Sequence, residues 1–259
     1  MRCPICGNES NKCFNHMILN KYNIDYFHCD NCDFLHTEEP YWLRESYKES
    51  INLSDTGYIS RNLSLSGRAF IFFLILFGKR EKYLDYAGGY GMATRVLRDF
   101  GLDFYWDDKY TKNLFAQGFE YKNQIIKALT CFECFEHFVC PTEEIEKMLS
   151  ISRNILFSTV IKSDVVPPEN WWYYGFNHGQ HISFYSMRTL KYLANKYKLF
   201  LYSNGRNFHY FSDKKISKVG IYFLMKAGAL PWGILSKYIL SSKTLDDSNY
   251  LISKSGKEI

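Results

Sequence analysis

Residues Tyr83 to Gly101 read YLDYAGGYGMATRVLRDFG. An apolar start holds one acid, Asp85, and then Ala87, Gly89 and Gly91 stand at alternate positions. Absent or minimal side chains let a ligand come close to the main chain. From Met92 onward the spacing turns helical, with Val96, Leu97 and Phe100 on one side and Gly101 as the stop signal. Strand, glycine turn and helix in this order predict the ligand crevice at the carboxyl end of an α/β sheet. A dinucleotide fingerprint, G-x-G-x-x-G counted from Gly89, puts Thr94 where its third glycine should be. That is a near miss in a pattern that is weak when alone.

Working outward, LDFYWDDKY predicts a second strand that ends in Asp107 and Asp108. Asp108 lies 17 residues past Gly91, where a carboxylate can accept hydrogen bonds from ribose hydroxyls. Further on, ALTCFECFEHFVCPTEEIEKML carries E-x-x-E-H as Glu133 to His137, followed by Pro141. D-x-(G/A)-x-G-x-G with the acid inside resembles motif I of the class I S-adenosylmethionine-dependent methyltransferases. The E-x-x-E-H segment resembles the same family's fourth-strand region. The resemblance spans about residues 80 to 200 and implies an α/β fold, a Rossmann-like seven-stranded methyltransferase sheet, with S-adenosylmethionine as cofactor. It implies that Asp85, Ala87, Gly89 and Gly91 form the cofactor loop, Ala87 standing where the family usually has glycine. By the same resemblance Asp108 holds the ribose and Glu133 lies beside the cofactor. Glu136 and His137 are expected to make local hydrogen bonds. The metalloprotease order H-E-x-x-H is absent, so no catalytic metal is expected there. Cys131, Cys134 and Cys140 are expected to be buried thiols.

SRNILFSTVI predicts a fifth strand, and a long polar-aromatic loop follows it. Loops set on a rigid sheet often carry function. HGQHISFYSMRTLKYLA resembles a segment of methyltransferases found in polysaccharide and glycan gene clusters, a histidine-rich loop entering a helix through a Ser or Thr cap. Ser186 fits that cap, with Leu190 and Leu193 on the apolar face. Methyl transfer from a sulfonium needs nucleophile, carbon and sulfur held in line. A hydroxyl or acidic C–H acceptor also needs a base. His181 and His178 are the candidates, since neutral imidazole accepts a proton near neutral pH. His181 stands ahead because the resemblance is tightest at HISFYS. Trp171, Trp172, Tyr173 and Tyr174 are candidates to line an acceptor pocket, by stacking on sugars or equally on bases, or simply to pack the loop.

At the amino end, CPICG and CDNCDF set Cys3, Cys6, Cys29 and Cys32 as two C-x-x-C pairs 22 residues apart. Four thiolates on two tight turns make a closed structural zinc site, so a zinc ribbon is expected. The predicted segments are the ribbon at 1–40, a helical connector or lid at 41–80, the cofactor-binding domain at 81–212 and a basic-apolar extension at 213–259. Within the connector AFIFFLILF, Ala69 to Phe77, reads as a buried helix, being about half the length a membrane span needs. The start is polar and cysteine-rich rather than a signal peptide, so a cytoplasmic protein with reduced thiols is expected.

From Lys191 to the end there are 12 basic against 4 acidic residues, so the rest of the chain is net acidic. The tail is a candidate for peripheral contact with the inner face of a membrane, near lipid-linked acceptors. The expected acceptor is therefore a sugar or glycan precursor, small or lipid-linked, methylated at oxygen or carbon. Nucleic acid is not the expected partner, because the segment before residue 191 is not basic and no (N/D)-P-P-(F/Y) tetrapeptide is present. The alternatives are a zinc-ribbon RNA methyltransferase and a non-catalytic cofactor-binding scaffold.

Overall fold

The computed structural model describes residues 1–48, 51, 55–226 and 239–255. Two units divide the chain: Met1–Ser54 with Phe132–Ile221, and Asp55–Cys131 with Tyr222–Ile259. In the first unit, strands β1 (Asn11–Ile18), β2 (Tyr22–His28) and β3 (Leu35–Thr37) pair antiparallel. Leu19 and Asn20 turn the β1–β2 hairpin, both with φ of 52°, as the twist of a tight hairpin favours. Ile24 and Tyr26 alternate inward from β2 and are buried. The short helix α1 (Leu43–Ser46) follows.

The second unit opens with helix α2 (Tyr58–Leu76). Among the described residues it is the one helix long and apolar enough to cross a membrane. Its Ala69 to Phe73 are buried. Phe73 stacks at 4.9 Å on Tyr83 and at 5.8 Å on Phe104, so the first half of the apolar run forms core as the sequence predicts, while Ile75 is exposed. Strand β4 (Lys82–Tyr86) leads through the glycine turn into helix α3 (Met92–Asp99), and β5 (Asp103–Asp107) and β6 (Ala128–Cys131) follow. Both β5 and β6 pair parallel with β4, in the order β5-β4-β6. Parallel strands need crossovers, and α3 is the first of them.

Returning to the first unit, helix α4 (Pro141–Ile151) starts on a proline at its first turn. Strand β7 (Ile155–Ser158) follows. Strand β8 (Ser183–Phe184) pairs with β3 and adds a fourth strand to the amino-terminal sheet. Helix α5 (Met187–Lys196) begins on Ser186, whose side chain accepts from the Thr189 amide in a capping box; the expected cap is found. Strands β9 (Phe200–Ser203) and β10 (Phe208–Ser212) pair antiparallel, and β10 pairs antiparallel with β7. The α/β, Rossmann-like class is borne out. The described residues hold six strands of this kind, β4 parallel to β5 and β6 and β10 antiparallel to both β7 and β9, where the resemblance implied seven.

Helices α6 (Lys218–Lys226) and α7 (Thr244–Ser255) come last. Asp247 of α7 takes a paired hydrogen bond from Arg98 of α3, at 2.8 and 2.6 Å, and both side chains are buried. So α7 is tied to the parallel strands' own helix by a two-pronged ion pair. Within the extension behind the membrane expectation, residues 227–238 lie outside the described residues.

Candidate functional site

The turn after β4 is built for backbone exposure. Ala87 and Gly89 both have φ of 54°, and Gly91 has φ of 86° as it caps α3. Only glycine takes such values without cost; for Ala87 the left-handed conformation costs about 1–2 kcal/mol. Space is also short. A Cβ at Gly88 would sit 2.7 Å from Asp85 Oδ2 and 3.0 Å from the Trp106 ring. A Cβ at Gly91 would sit 2.8 Å from Asn113 Oδ1. Trp106 Nε1 donates to the Gly89 carbonyl at 2.8 Å and so orients the loop.

Asp85 lies under this turn rather than in it. Thr94 and Thr130 donate to its two oxygens at 3.1 and 2.7 Å, and it is buried. Burial raises its pKa to about 6, against the lowering effect of the two threonines. Its work is to hold α3 and β6 to β4, so it positions the loop. Asp108 sits on the loop itself. The Gly89 amide donates to Oδ2 at 3.0 Å, and the Tyr110 and Thr111 amides donate to Oδ1 at 2.7 Å each. A carboxylate offers about four lone-pair sites, so three amides leave it roughly one for a ligand hydroxyl. Asp107, the adjacent candidate, is half-buried, and burial and then the charge of Asp108 raise its pKa. The structure thus brings Asp85, Ala87, Gly89, Gly91 and Asp108 together. Thr94, Thr130, Trp106 and Gly88 complete the arrangement and were not signalled by the sequence. Threonines at mid-helix and strand positions look like ordinary core until their hydroxyls are seen on a carboxylate.

The first unit holds the other predicted residues. Glu133 also has a left-handed backbone, φ 52°. Ser158 accepts from the Glu133 amide at 2.8 Å and donates to Glu133 Oε1 at 2.6 Å, which clamps the residue in that strained conformation. His181 and His178 lie ring to ring, 4.8 Å between centroids, and His137 is 5.0 Å from His181. His181 Nδ1 is 2.6 Å from the Tyr173 carbonyl. A carbonyl only accepts, so Nδ1 carries the proton and Nε2 keeps the lone pair. His178 is the reverse: its Nδ1 accepts from the Gln180 amide at 3.1 Å, so in the neutral ring Nε2 carries the proton. Burial holds the pKa of His137 below the ordinary value.

This histidine loop is firmly seated. Trp42 Nε1 donates to the Gly179 carbonyl at 2.8 Å, and Gln180 Nε2 donates to the Ser46 carbonyl at 2.8 Å. Gly175, with φ of 60°, makes room for His178, since a Cβ there would run into the imidazole. Of the four aromatics, Tyr173 and Tyr174 are core residues, packed with Ile24, Tyr26, Trp42 and Phe184. Their hydroxyls bond inward, Tyr173 donating to Thr159 or accepting from it and Tyr174 donating to the Pro167 carbonyl. Trp172 alone is open, 73% exposed. For Tyr173 and Tyr174 the packing alternative describes the structure: an apolar core takes their rings. Cys131 and Cys134 are buried as expected, and Cys140 is exposed because it precedes α4 at the surface.

The four cysteines converge. Cys3 and Cys32 Sγ are 3.5 Å apart, Cys6 and Cys29 Sγ are 3.4 Å apart, and all four lie within 4.8 Å of one another. Tetrahedral Zn–S bonds of about 2.3 Å put sulfurs about 3.8 Å apart, so the sulfurs fit one zinc ion. Each pair rides on a matching turn. Gly7 N donates to the Cys3 carbonyl at 2.9 Å and Asp33 N to the Cys29 carbonyl at 2.8 Å. Gly7 and Asp33 both have positive φ, 74° and 60°. Asp33 is further held by Lys162 at 2.6 Å, an ion pair with both side chains buried.

Residues 60–203 match the methyltransferase domain family. No curated protein matches the chain. Among solved structures, the plantazolicin methyltransferase BpumL in complex with SAH is 17% identical, with a TM-score of 0.40. That alignment covers 57% of this chain and 68% of BpumL. Magnesium protoporphyrin IX methyltransferase from Synechocystis PCC 6803, with bound SAM, is 13% identical. Its alignment covers 66% of this chain and 89% of that one, with a TM-score of 0.39.

Proposed function

The chain belongs to the methyltransferase domain family, S-adenosylmethionine-dependent enzymes, and from that premise we propose that it methylates a sugar or glycan precursor. The observation that carries the cofactor reading is the Cβ-free turn at Gly88, Gly89 and Gly91, left-handed at Gly89 and Gly91, with the Asp108 carboxylate bonded to the Gly89 amide. S-adenosylmethionine, when bound, supplies an electrophilic methyl group on a cationic sulfur. Gly89 and Gly91 leave the main chain open to it, and the remaining lone pair of Asp108 suits a ribose hydroxyl. Asp85, Thr94 and Thr130 keep the turn in shape from below.

Acceptor chemistry falls to the histidine loop. His181 presents Nε2 with its lone pair, the form that takes a proton from a hydroxyl. His178, with its Nε2 protonated, is suited to donate a hydrogen bond to the acceptor. This tautomer difference favours His181 as the base. Exposed Trp172 offers a face on which a sugar ring stacks. Resemblance of the histidine segment to methyltransferases of glycan gene clusters is what favours carbohydrate over RNA. The zinc ribbon fits either class of acceptor and does not choose between them.

The test is incubation of the zinc-loaded protein with labelled S-adenosylmethionine and three acceptor pools: nucleotide sugars, lipid-linked glycans and total RNA. Label in a sugar or glycan, with one methyl added by mass, is the expected result. Label in RNA alone would overturn the acceptor reading and leave methyl transfer standing. Trp172→Ala is expected to raise the acceptor KM several-fold while leaving cofactor binding unchanged.

A further inference from the structure

Two imidazoles and a carboxylate of the first unit meet outside the cysteine cluster. Glu136 and His137 come from the single helical turn Phe135–His137, and His181 comes from the loop before β8. One ligand atom of each lies within 4.8 Å of the others. Glu136 is 1% exposed, and the two rings stand edge to face. The elements that bring them together are tied directly, since the Ile182 amide donates to the Glu136 carbonyl at 2.9 Å.

The second hydrogen bonds of the two rings give this cluster its meaning. His137 Nδ1 is 3.0 Å from the Gln180 carbonyl and 2.9 Å from the Tyr47 hydroxyl. His181 Nδ1 is 2.6 Å from the Tyr173 carbonyl. Each Nδ1 therefore donates to a main-chain oxygen, the tautomer that puts the ring's lone pair on Nε2. Backbone carbonyls that fix the tautomer and orientation of an imidazole are the usual outer shell of a metal-ligating histidine. Two such imidazoles with one carboxylate form a donor set for zinc that leaves a coordination position open. The same set also suits other borderline divalent ions.

We propose that Glu136, His137 and His181 bind a divalent transition-metal ion, zinc in the first instance, at a site separate from the four cysteines and open to an oxygen ligand. Binding stands on this geometry alone. One consequence rests on the methyl-transfer reading: an acceptor hydroxyl on the ion would lose its proton to water because of the ion's charge. His181 would then serve as ligand, the ion replacing it as the cause of deprotonation. The absence of H-E-x-x-H does not bear on this, because the two histidines come from different segments, a short helical turn and a loop, rather than one helix.

The experiment uses the full chain with its cysteine site filled by zinc. Cobalt(II) is titrated in, and visible absorption is recorded without cofactor or acceptor. The expected result is one equivalent of cobalt with ligand-field bands and no intense thiolate charge-transfer band. His137→Gln and His181→Gln should each weaken that uptake by more than the ~10–100-fold that loss of an outer-shell partner costs. Mass-spectrometric metal analysis should find two zinc ions per wild-type chain and one per variant. Circular dichroism and retained cysteine-bound zinc show that a variant is folded. No ligand-field bands in the wild type, or bands unchanged in both variants, would overturn the proposal. Methyl transfer by a protein holding only the cysteine-bound zinc would overturn the catalytic consequence and leave the methyltransferase reading intact.

Discussion

A single methyl group separates Ala87 from the glycines that follow it, and its positive φ makes that methyl a liability. Ala87→Gly relieves the left-handed strain but loosens the unfolded chain, two opposing effects of about 1 kcal/mol. The variant should unfold at equal or higher denaturant and still bind cofactor. Gly88→Ala should do the reverse. Its Cβ meets Asp85 and Trp106, and overpacking of that kind costs about 1–3 kcal/mol. Parallel urea unfolding of the two variants checks the contrast. Asp85 gives a pH signature at the same scale. Its folded pKa is about 6, raised by burial from 3.8, so the folded state binds the proton more tightly. Its contribution is therefore most favourable below pH 3.8 and weakens as pH rises to about 6, by about 3 kcal/mol for two pKa units. Asp85→Asn should remove that slope. Urea midpoints of both proteins between pH 4 and 7 test it, and equal slopes would contradict it.

Two elements are held by charge and by a cysteine cluster as much as by apolar burial. Helix α7 is anchored through Asp247 to Arg98 of α3, with both groups buried. Asp247→Ala takes both of that carboxylate's hydrogen bonds from buried Arg98, which keeps Asp103 at 2.8 Å, so the cost should fall below the roughly 3–5 kcal/mol typical of a buried charge left wholly unpaired. Asp247→Ala should therefore destabilise more than the double variant Arg98→Met, Asp247→Leu, as thermal unfolding would report. The amino-terminal sheet depends on the cysteine cluster, because β3 enters directly from the second cysteine turn and pairs with β8. Structural zinc of this type is worth on the order of 10 kcal/mol to folding. Chelation should thus raise amide exchange in β1 to β3, and also at Ser183 and Phe184 next to His181. Exchange confined to residues 1–40 would contradict that coupling.

At the scale of the molecule, what the sequence exposed was whatever depends on local pattern. Alternating small residues marked the turn at 87–91, paired C-x-x-C marked the cysteine cluster, and Ser186 marked the start of α5. What it concealed was anything made by residues far apart in the chain. The threonines on Asp85, the Lys162 ion pair under the second cysteine turn and the meeting of Glu136 and His137 with His181 are of this kind. Tyr173 and Tyr174 were undecided for a related reason: an aromatic run has the same composition whether it lines a pocket or fills a core. The account as a whole turns on the loop between β4 and α3. Its most direct test is calorimetry of S-adenosylhomocysteine binding to the zinc-loaded protein. The account predicts one molecule bound per chain, with affinity lowered at least about tenfold, or 1.4 kcal/mol, by Gly91→Val and by Asp108→Asn. Absence of binding to the wild-type chain, or equal binding by both variants, would contradict it.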